Sequence, residues 1–553
     1  MITVMKFNKI HLFLSALGLI SAILLSLPFL VPHTGFLSLV AFIPLLIMER
    51  LASGYGIRHF WIYHYSTFVL WNAMTTFWVC NATVGGGLFA IFANAFQMSL
   101  VFGLFRYSRK SFSGVLPYIF LMTAWIAWER AYFDAEISWP WLVLGNAFAG
   151  SIKSVQWYEY TGTLGGSLWI WLSNLSIFGL MVSLSDGRWA FRFNMKAKAA
   201  SAAGIVLLLA GPFVWSAILY NSYTETERPF DVLVLQPNFD PYEKFQALDR
   251  NSQNMILLDL AANSLSDRKS VQDSSSQAQP PMLVLAPETF TNDVITNDVS
   301  SGRTWNRIVS FLGDYPGVNF LFGASSYTYM DSSQRPSYTA RQVRDGRWIE
   351  SHNSALIVDA AARTQLFHKN KLVVAVEKTP YPAVFCKIDD MLGGVMGRCI
   401  GQDSVSVITC KSPGHADVKT GCAICYESVY GEYFTGYVSK GAEFMTVITN
   451  DAWWGDTPGY RQHLNYASLR AVETRRSIAR CANTGISAFI DQKGDVVQST
   501  SWWNREVLRG KINLNDKLTF FVRYGDVTGR LCSFVFCLLL AALAVRRLSG
   551  NRK

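Results

Sequence analysis

Runs of about twenty mostly apolar residues fill the first 222 positions of this chain, and they decide what it can fold into. A helix crossing a bilayer needs roughly 20 such residues, because its backbone polar groups must be satisfied within the segment. Eight candidate spans are read, near 10–30, 35–49, 60–79, 86–105, 114–133, 165–184, 203–221 and 528–545. The second is short and the third carries polar residues. Lys6 and Lys9 make the first resemble a secretory signal, but no Ala-x-Ala cleavage site follows and further spans do. It is therefore read as a helix.

The basic residues fall beside these spans. Lys6 and Lys9 precede the first; Arg50 and Arg58 lie between the second and third; Arg106, Arg109 and Lys110 lie between the fourth and fifth. Arg188, Arg192, Lys196 and Lys198 lie between the sixth and seventh, and Arg546, Arg547, Arg552 and Lys553 end the chain. Every second loop is basic, which puts both termini inside and the segment after span seven outside. In a two-membrane bacterium that is the periplasm. The net charge of +10 is thus topological, and nucleic-acid binding is not expected. The outward segment Ser138–Asn146, "SWPWLVLGN", has paired tryptophans that suit the headgroup level.

Residues from about 223 to 527 read as a globular domain. Short β-rich runs stand at 230–238, 281–289, 318–327, 353–361, 419–427 and 443–451, with a Lys-Gly hairpin at 485–500. Helical stretches at 241–266, 302–313 and 461–482 intervene, and 267–281 is a polar surface loop. Alternating strands and helices make this an α/β or layered α+β domain.

Three strand ends carry chemistry: Glu288 in "APE", Lys369 and Lys371 in "FHKNKL", and Cys425 in "CAICYE". Each alone has an ordinary explanation as a solvated acid, a surface lysine or a small buried hydrophobe. The Cys422-x-x-Cys425 pair is more telling. In a strand the two Cα atoms lie about 10 Å apart at roughly 3.3 Å per residue, beyond the ~7 Å a disulfide tolerates. No second Cys or His pair completes a zinc set. Period two sets the cysteines on opposite faces, so one packs in the core while Cys425 faces a site beside Tyr426 and Glu427.

Glu…Lys…Cys, in the contexts "LAPET", "FHKNKLVVAVE" and "AICYES", resembles the nitrilase (carbon–nitrogen hydrolase) superfamily. The stretch 450–491, "PWLVLG" and "TFFVRYGD" (519–526) resemble its membrane-bound branch, the apolipoprotein N-acyltransferases. The resemblance implies an α-helical polytopic membrane domain (1–222), an α/β nitrilase-like αββα sandwich facing the periplasm (223–522), and a C-terminal transmembrane helix with a basic cytoplasmic tail (523–553). It also implies catalytic Glu288, Lys369 and Cys425, with Glu377 orienting Lys369 and with Tyr426 and Glu427 shaping the pocket. Phe245 stands where the family often has tryptophan, and Trp453 would line the acyl path. The family's Pro and Gly before the second glutamate are absent from Val373–Glu377. The implied reaction moves an acyl chain from a phospholipid, through a Cys thioester, to the α-amine of a diacylglyceryl-cysteine lipoprotein in the bacterial inner membrane, with no cofactor.

Two other classes stay open: a membrane-tethered amidase hydrolysing small amides, and a transporter or receptor whose outer domain only binds. Two further expectations concern 386–410. Cys386, Cys399 and Cys410 lie in an oxidising compartment, where a disulfide among them or with Cys422 is expected. The run 389–399 mixes Met391, Leu392, Val395 and Met396 with Gly393, Gly394 and Gly397, a composition suited to a lid that opens sideways to the bilayer, with Met391 and Met396 on the acyl path.

Overall fold

The computed structural model describes residues 7–184, 195–240, 249–268, 279–343, 345–391 and 396–550. The chain divides into two compact units, one of residues 1–223 with 524–553 and one of 224–523.

The first unit is helical. Its long helices run Phe7–Leu30, Ile43–Gly54, Trp61–Thr76, Val84–Ser108, Leu116–Tyr132, Tyr158–Leu184, Met195–Ser222 and Val527–Gly550. Among the described residues, six helical segments are long and apolar enough to cross a membrane: Lys9–Leu30, Gly35–Gly54, Val84–Ser108, Tyr158–Leu184, Ala199–Ser222 and Val527–Ser549. The second expected span qualifies because a short 3-10 turn, Gly35–Leu39, extends it. The third and fifth fall short, their helices having 16 and 17 residues.

"PWLVLG" does not sit as a surface anchor. Trp141 is fully buried, with its ring centroid 4.8 Å from that of Trp78, and Leu144–Phe148 are buried with it. A Cβ on Gly145 would lie 1.9 Å from the Thr163 carbonyl oxygen, so only glycine permits this approach. Glu129 accepts the Leu144 N–H at 2.8 Å.

The second unit holds two sheets. The first contains β1 (Pro229–Gln236), β2 (Met282–Leu285), β3 (Thr291–Ile295), β4 (Val318–Met330), β5 (Arg341–Gln342), β6 (Trp348–Asp359), β7 (Thr364–His368) and β14 (Glu506–Asn513). Its main path is β14-β1-β2-β4-β6-β5, with β3 paired to β4 and β7 to β6. The second contains β8 (Val407–Cys410), β9 (Val418–Ile424), β10 (Phe444–Thr449), β11 (Ile478–Ala482), β12 (Ala488–Ile490) and β13 (Val496–Ser499), in the order β13-β12-β11-β10-β9-β8. The centres are parallel, β1-β2-β4 in one sheet and β9-β10-β11 in the other.

Period-two alternation builds four layers. Val232 and Val234 of β1 meet Cys422 and Ile424 of β9 between the sheets. Leu233 and Leu235 turn outward onto Leu257 and Ala261 of the helix Arg250–Ser264. Ala423, Met445 and Val447 turn the other way, onto the helices Gly431–Ser439 and Pro458–Thr474. The unit is an αββα sandwich.

Three expectations are corrected here. The helix read at 461–482 ends at Thr474, where Arg475 turns left-handed (φ +49°), and 478–482 form β11. "IARCA" is a short buried run, which periodicity alone does not separate from helix. Cys422 and Cys425 do not lie on opposite faces: the strand stops at Ile424, Cys425 adopts φ +53°, and both belong to the inter-sheet cluster. Cys386, Cys399, Cys410 and Cys422 are free thiols. Cys410 pairs with Val418, four residues before Cys422, so about 13 Å of strand separates those two. Phe245 and most of 267–281 lie outside the described residues.

Candidate active site

Glu288 follows the end of β2, Lys369 follows β7, and Cys425 follows β9. The Glu288 backbone crosses β4 closely, since a Cβ on Gly323 would lie 2.6 Å from its Cα. Lys369 is 1% exposed. Its Nζ donates to Glu288 Oε1 at 3.1 Å and to Glu377 Oε1 at 2.9 Å. Glu377 Oε2 in turn accepts the Val373 N–H at 2.7 Å, which closes the loop where the family's Pro and Gly are missing. Burial pulls the Lys369 pKa down, but Glu288 and Glu377 outweigh it and hold the ammonium charged, well above its usual range. Burial, reinforced by Glu288, pushes the Cys425 thiol well above its usual range, and Lys369 opposes this. The Cys425 thiol is therefore held neutral, with Glu288 and the Lys369 ammonium acting on it.

Sequence reasoning missed Asn353. Its Nδ2 donates to Glu288 Oε1 and to Glu377 Oε1, both at 2.7 Å, and its backbone carbonyl accepts the Lys369 backbone N–H at 2.7 Å. Asn is disfavoured in strands, so its place inside β6, just before the buried run "SALIV", was the available signal. Replacing Asn353 with Leu keeps the volume but removes one hydrogen bond from each carboxylate. The activity of the site should fall about 10- to 100-fold, the cost of misplacing a reacting group by an ångström or so. Initial rates of the purified variant check this, and an unchanged rate would show that the asparagine does not position them.

Glu427 is a clamp. It accepts the N–H groups of Asn370 (2.7 Å) and Ile424 (2.8 Å) and the Tyr433 hydroxyl (2.7 Å), joining the lysine loop to the cysteine turn. Tyr426 is buried and packs edge-on against Tyr430. Asn450 donates its N–H to Glu288 Oε2 at 3.1 Å, and Trp453, three residues on, is 38% exposed. Met391 ends the helix Pro382–Met391 and is 78% exposed; Met396 is half-buried. Residues 392–395 lie outside the described residues.

Behind Cys425 lies a second buried group. Ligand-type atoms of Cys425, Asp451 and His463 fall within 4.8 Å of one another. Asp451, however, is already paired with Arg480 at 2.5 Å, and His463 lies against Asp451 and Ser428. Donors so engaged, beside a guanidinium, form a hydrogen-bonded relay rather than a cation site. Burial works against the Asp451 charge, but Arg480 and His463 hold its carboxyl down at about 2. A depressed carboxyl contributes stability that is present above about pH 4 and lost as pH falls toward 2. The stability gap between the native chain and Asp451→Asn should thus shrink by about 2 kcal/mol between pH 5 and pH 2. Denaturant unfolding of both proteins measures it; a constant gap would mean that Asp451 does not titrate as described.

The comparisons match both halves of this architecture. Residues 21–176 match the model of the apolipoprotein N-acyltransferase N-terminal domain, and 336–517 match the carbon-nitrogen hydrolase model. The apolipoprotein N-acyltransferase of Chlorobaculum tepidum is 26% identical over 542 residues, covering 96% of each chain. That of Geobacter metallireducens is 24% identical over 554 residues, covering 96% of this chain and 95% of its own. The chain thus resembles apolipoprotein N-acyltransferases over nearly its whole length. The Thermotoga maritima member is 31% identical over 264 residues, 46% of this chain and 49% of its own. The two matched domains account for apolar helices and a carbon–nitrogen hydrolase fold in one polypeptide.

Proposed function

We propose that this protein transfers a fatty acyl chain from a membrane phospholipid to the N-terminal α-amine of an S-diacylglyceryl-cysteine lipoprotein, through a thioester on Cys425. The observation that carries the reading is Lys369, buried and held charged between two carboxylates beside a buried thiol, in a chain with several apolar helices. Glu288 takes the Cys425 proton as sulfur attacks the ester carbonyl, whose π electrons move to oxygen. The Lys369 ammonium and the Tyr426 N–H stabilise that oxyanion. On collapse the carbon–oxygen bond breaks, Glu288 returns the proton to the departing alkoxide, and lysophospholipid leaves. The lipoprotein amine attacks the thioester next. Glu288 takes its proton and delivers it to the sulfur as the carbon–sulfur bond breaks.

Glu377 and Asn353 hold Glu288 and Lys369 in register. An amide is more stable than the ester consumed, so no other energy source is needed. Both substrates are lipid-anchored, which gives the apolar helices a purpose that hydrolysis of small amides would not. Seven spans before the catalytic unit, or five if the two short helices do not cross, are both odd numbers. Either count puts that unit in the periplasm when the N-terminus is cytoplasmic.

The test is direct. Purified protein in phospholipid vesicles, given a diacylated lipopeptide with a free N-terminal cysteine amine, should add one acyl chain to that amine. Release of free fatty acid with the peptide unchanged would instead make the protein a hydrolase.

A further inference from the structure

Cys425 is one of the few non-glycine residues with positive φ, at +53°. That conformation is unfavourable for an L-residue and persists only where the surroundings over-determine it. Here they do. The Cys425 carbonyl accepts the Ser428 hydroxyl at 2.7 Å and lies 3.1 Å from His463 Nε2. Ser428 Oγ and His463 Nε2 are themselves 2.9 Å apart, so the ring reaches the carbonyl both directly and through the hydroxyl. Behind the ring, Nδ1 faces Asp451 Oδ1 at 3.0 Å. Thr449 Oγ1 donates to the same oxygen at 2.7 Å, and Arg480 Nη2 holds Oδ2 at 2.5 Å while lying 3.2 Å from Nδ1. His463, Asp451 and Arg480 are fully buried.

A peptide unit is planar, and when trans its C=O and N–H point in opposite directions. No peptide bond among the described residues is cis. Fixing the Cys425 carbonyl therefore fixes the direction of the Tyr426 N–H, because the two belong to one plane. We propose that His463, backed by Asp451 and Arg480, is a positioning residue that aims the Tyr426 N–H at the oxyanion by pinning the other end of the same peptide. This rests on the thioester reading above. It assigns the relay a role in one event only, the appearance of negative charge on the former carbonyl oxygen.

Two reactions of the same thiol separate this role from a merely structural one. Acylation of Cys425 by phospholipid passes through an oxyanion. Alkylation by iodoacetamide is a displacement at a saturated carbon and makes none. In His463→Ala, acylation should slow about 10- to 100-fold, somewhat less than full removal of an oxyanion donor, while alkylation stays within about threefold of the native rate. His463→Gln, whose amide N–H reaches toward the same carbonyl, should recover most of the acylation. Ser428→Ala removes only a hydroxyl, and it carries the test if the histidine variants do not fold. It should slow acylation several-fold and leave alkylation alone.

Both rates are read by intact mass on the full-length protein in detergent–phospholipid micelles. If acylation and alkylation fall together, the relay acts on the thiol or on the fold, and the proposal is wrong. If neither falls, or if glutamine rescues nothing, it is wrong as well. Failure of the native protein to acylate at all would count against the thioester reading instead.

Discussion

Cys425→Ala is expected to abolish acyl transfer, with a loss of about a thousandfold or more, the usual consequence of removing a covalent nucleophile. Cys422→Ala, three residues earlier, should keep most of the activity. The two thiols differ in place rather than in chemistry. Cys422 ends up between the sheets, where burial pushes its pKa upward, a hydrogen bond with Thr446 opposes this, and Glu427 and Glu288 add smaller upward pushes. Truncating it removes one buried sulfur and costs packing, on the order of 1–2 kcal/mol. Cys425 has left the strand on a left-handed turn, with Glu288 and Lys369 acting on it electrostatically. Transfer assays on both variants, with folding checked by thermal melting, decide the matter. Equal loss in two folded variants would remove the assignment of Cys425.

Lys369→Met should be nearly as damaging and should fail in two ways. Transfer should fall by about a hundredfold to a thousandfold, because the oxyanion loses its cation. The catalytic unit should also lose about 3–5 kcal/mol, the typical cost of stripping one partner from a buried ion pair. Glu288 and Glu377 would remain, both held by the Asn353 amide, with no positive charge between them. A second change separates the two effects. Adding Glu377→Gln to Lys369→Met removes one of the stranded charges, so stability should largely return while transfer stays lost. Denaturant midpoints and transfer rates measured on the same preparations test this, and transfer that returned without an ammonium would contradict the role given to Lys369.

Much of the site was legible because its parts stand where β-rich runs stop. "LAPET" and "AICYES" each end a run with a residue that has little reason to be there, and the Lys369 context repeats the pattern. The supporting residues were not legible because their partners come from distant parts of the chain. Asn353 looks like an ordinary strand residue until Glu288 and Glu377, 65 and 24 positions away, are brought to it. Arg480 offered a real clue, an arginine inside "IARCA". Such a run rarely buries a charge without a partner, and Asp451 is that partner. The same run misled the helix reading, because a short apolar stretch has no period of its own. The cysteine spacing misled for a different reason. Period two holds only while the strand continues, and this one ends at Ile424.

The helical unit was legible in its number of helices and less so in their lengths. Polar positions such as His64 and Asn72 interrupt the third apolar run, and its helix stops at 16 residues. The burial of Trp141 could not be read from its neighbours, because it depends on Gly145 meeting Thr163 eighteen residues later.

The most direct test of the central claim is the mass of the protein itself after incubation with phospholipid and no acceptor. One acyl chain should be added, peptide mapping should find it on Cys425, and neutral hydroxylamine should release it as expected of a thioester. Adding a lipopeptide with a free N-terminal amine should return the protein to its starting mass as the peptide gains the chain. Transfer that proceeds with no acylated Cys425, or an acyl group found on another residue, would contradict the account.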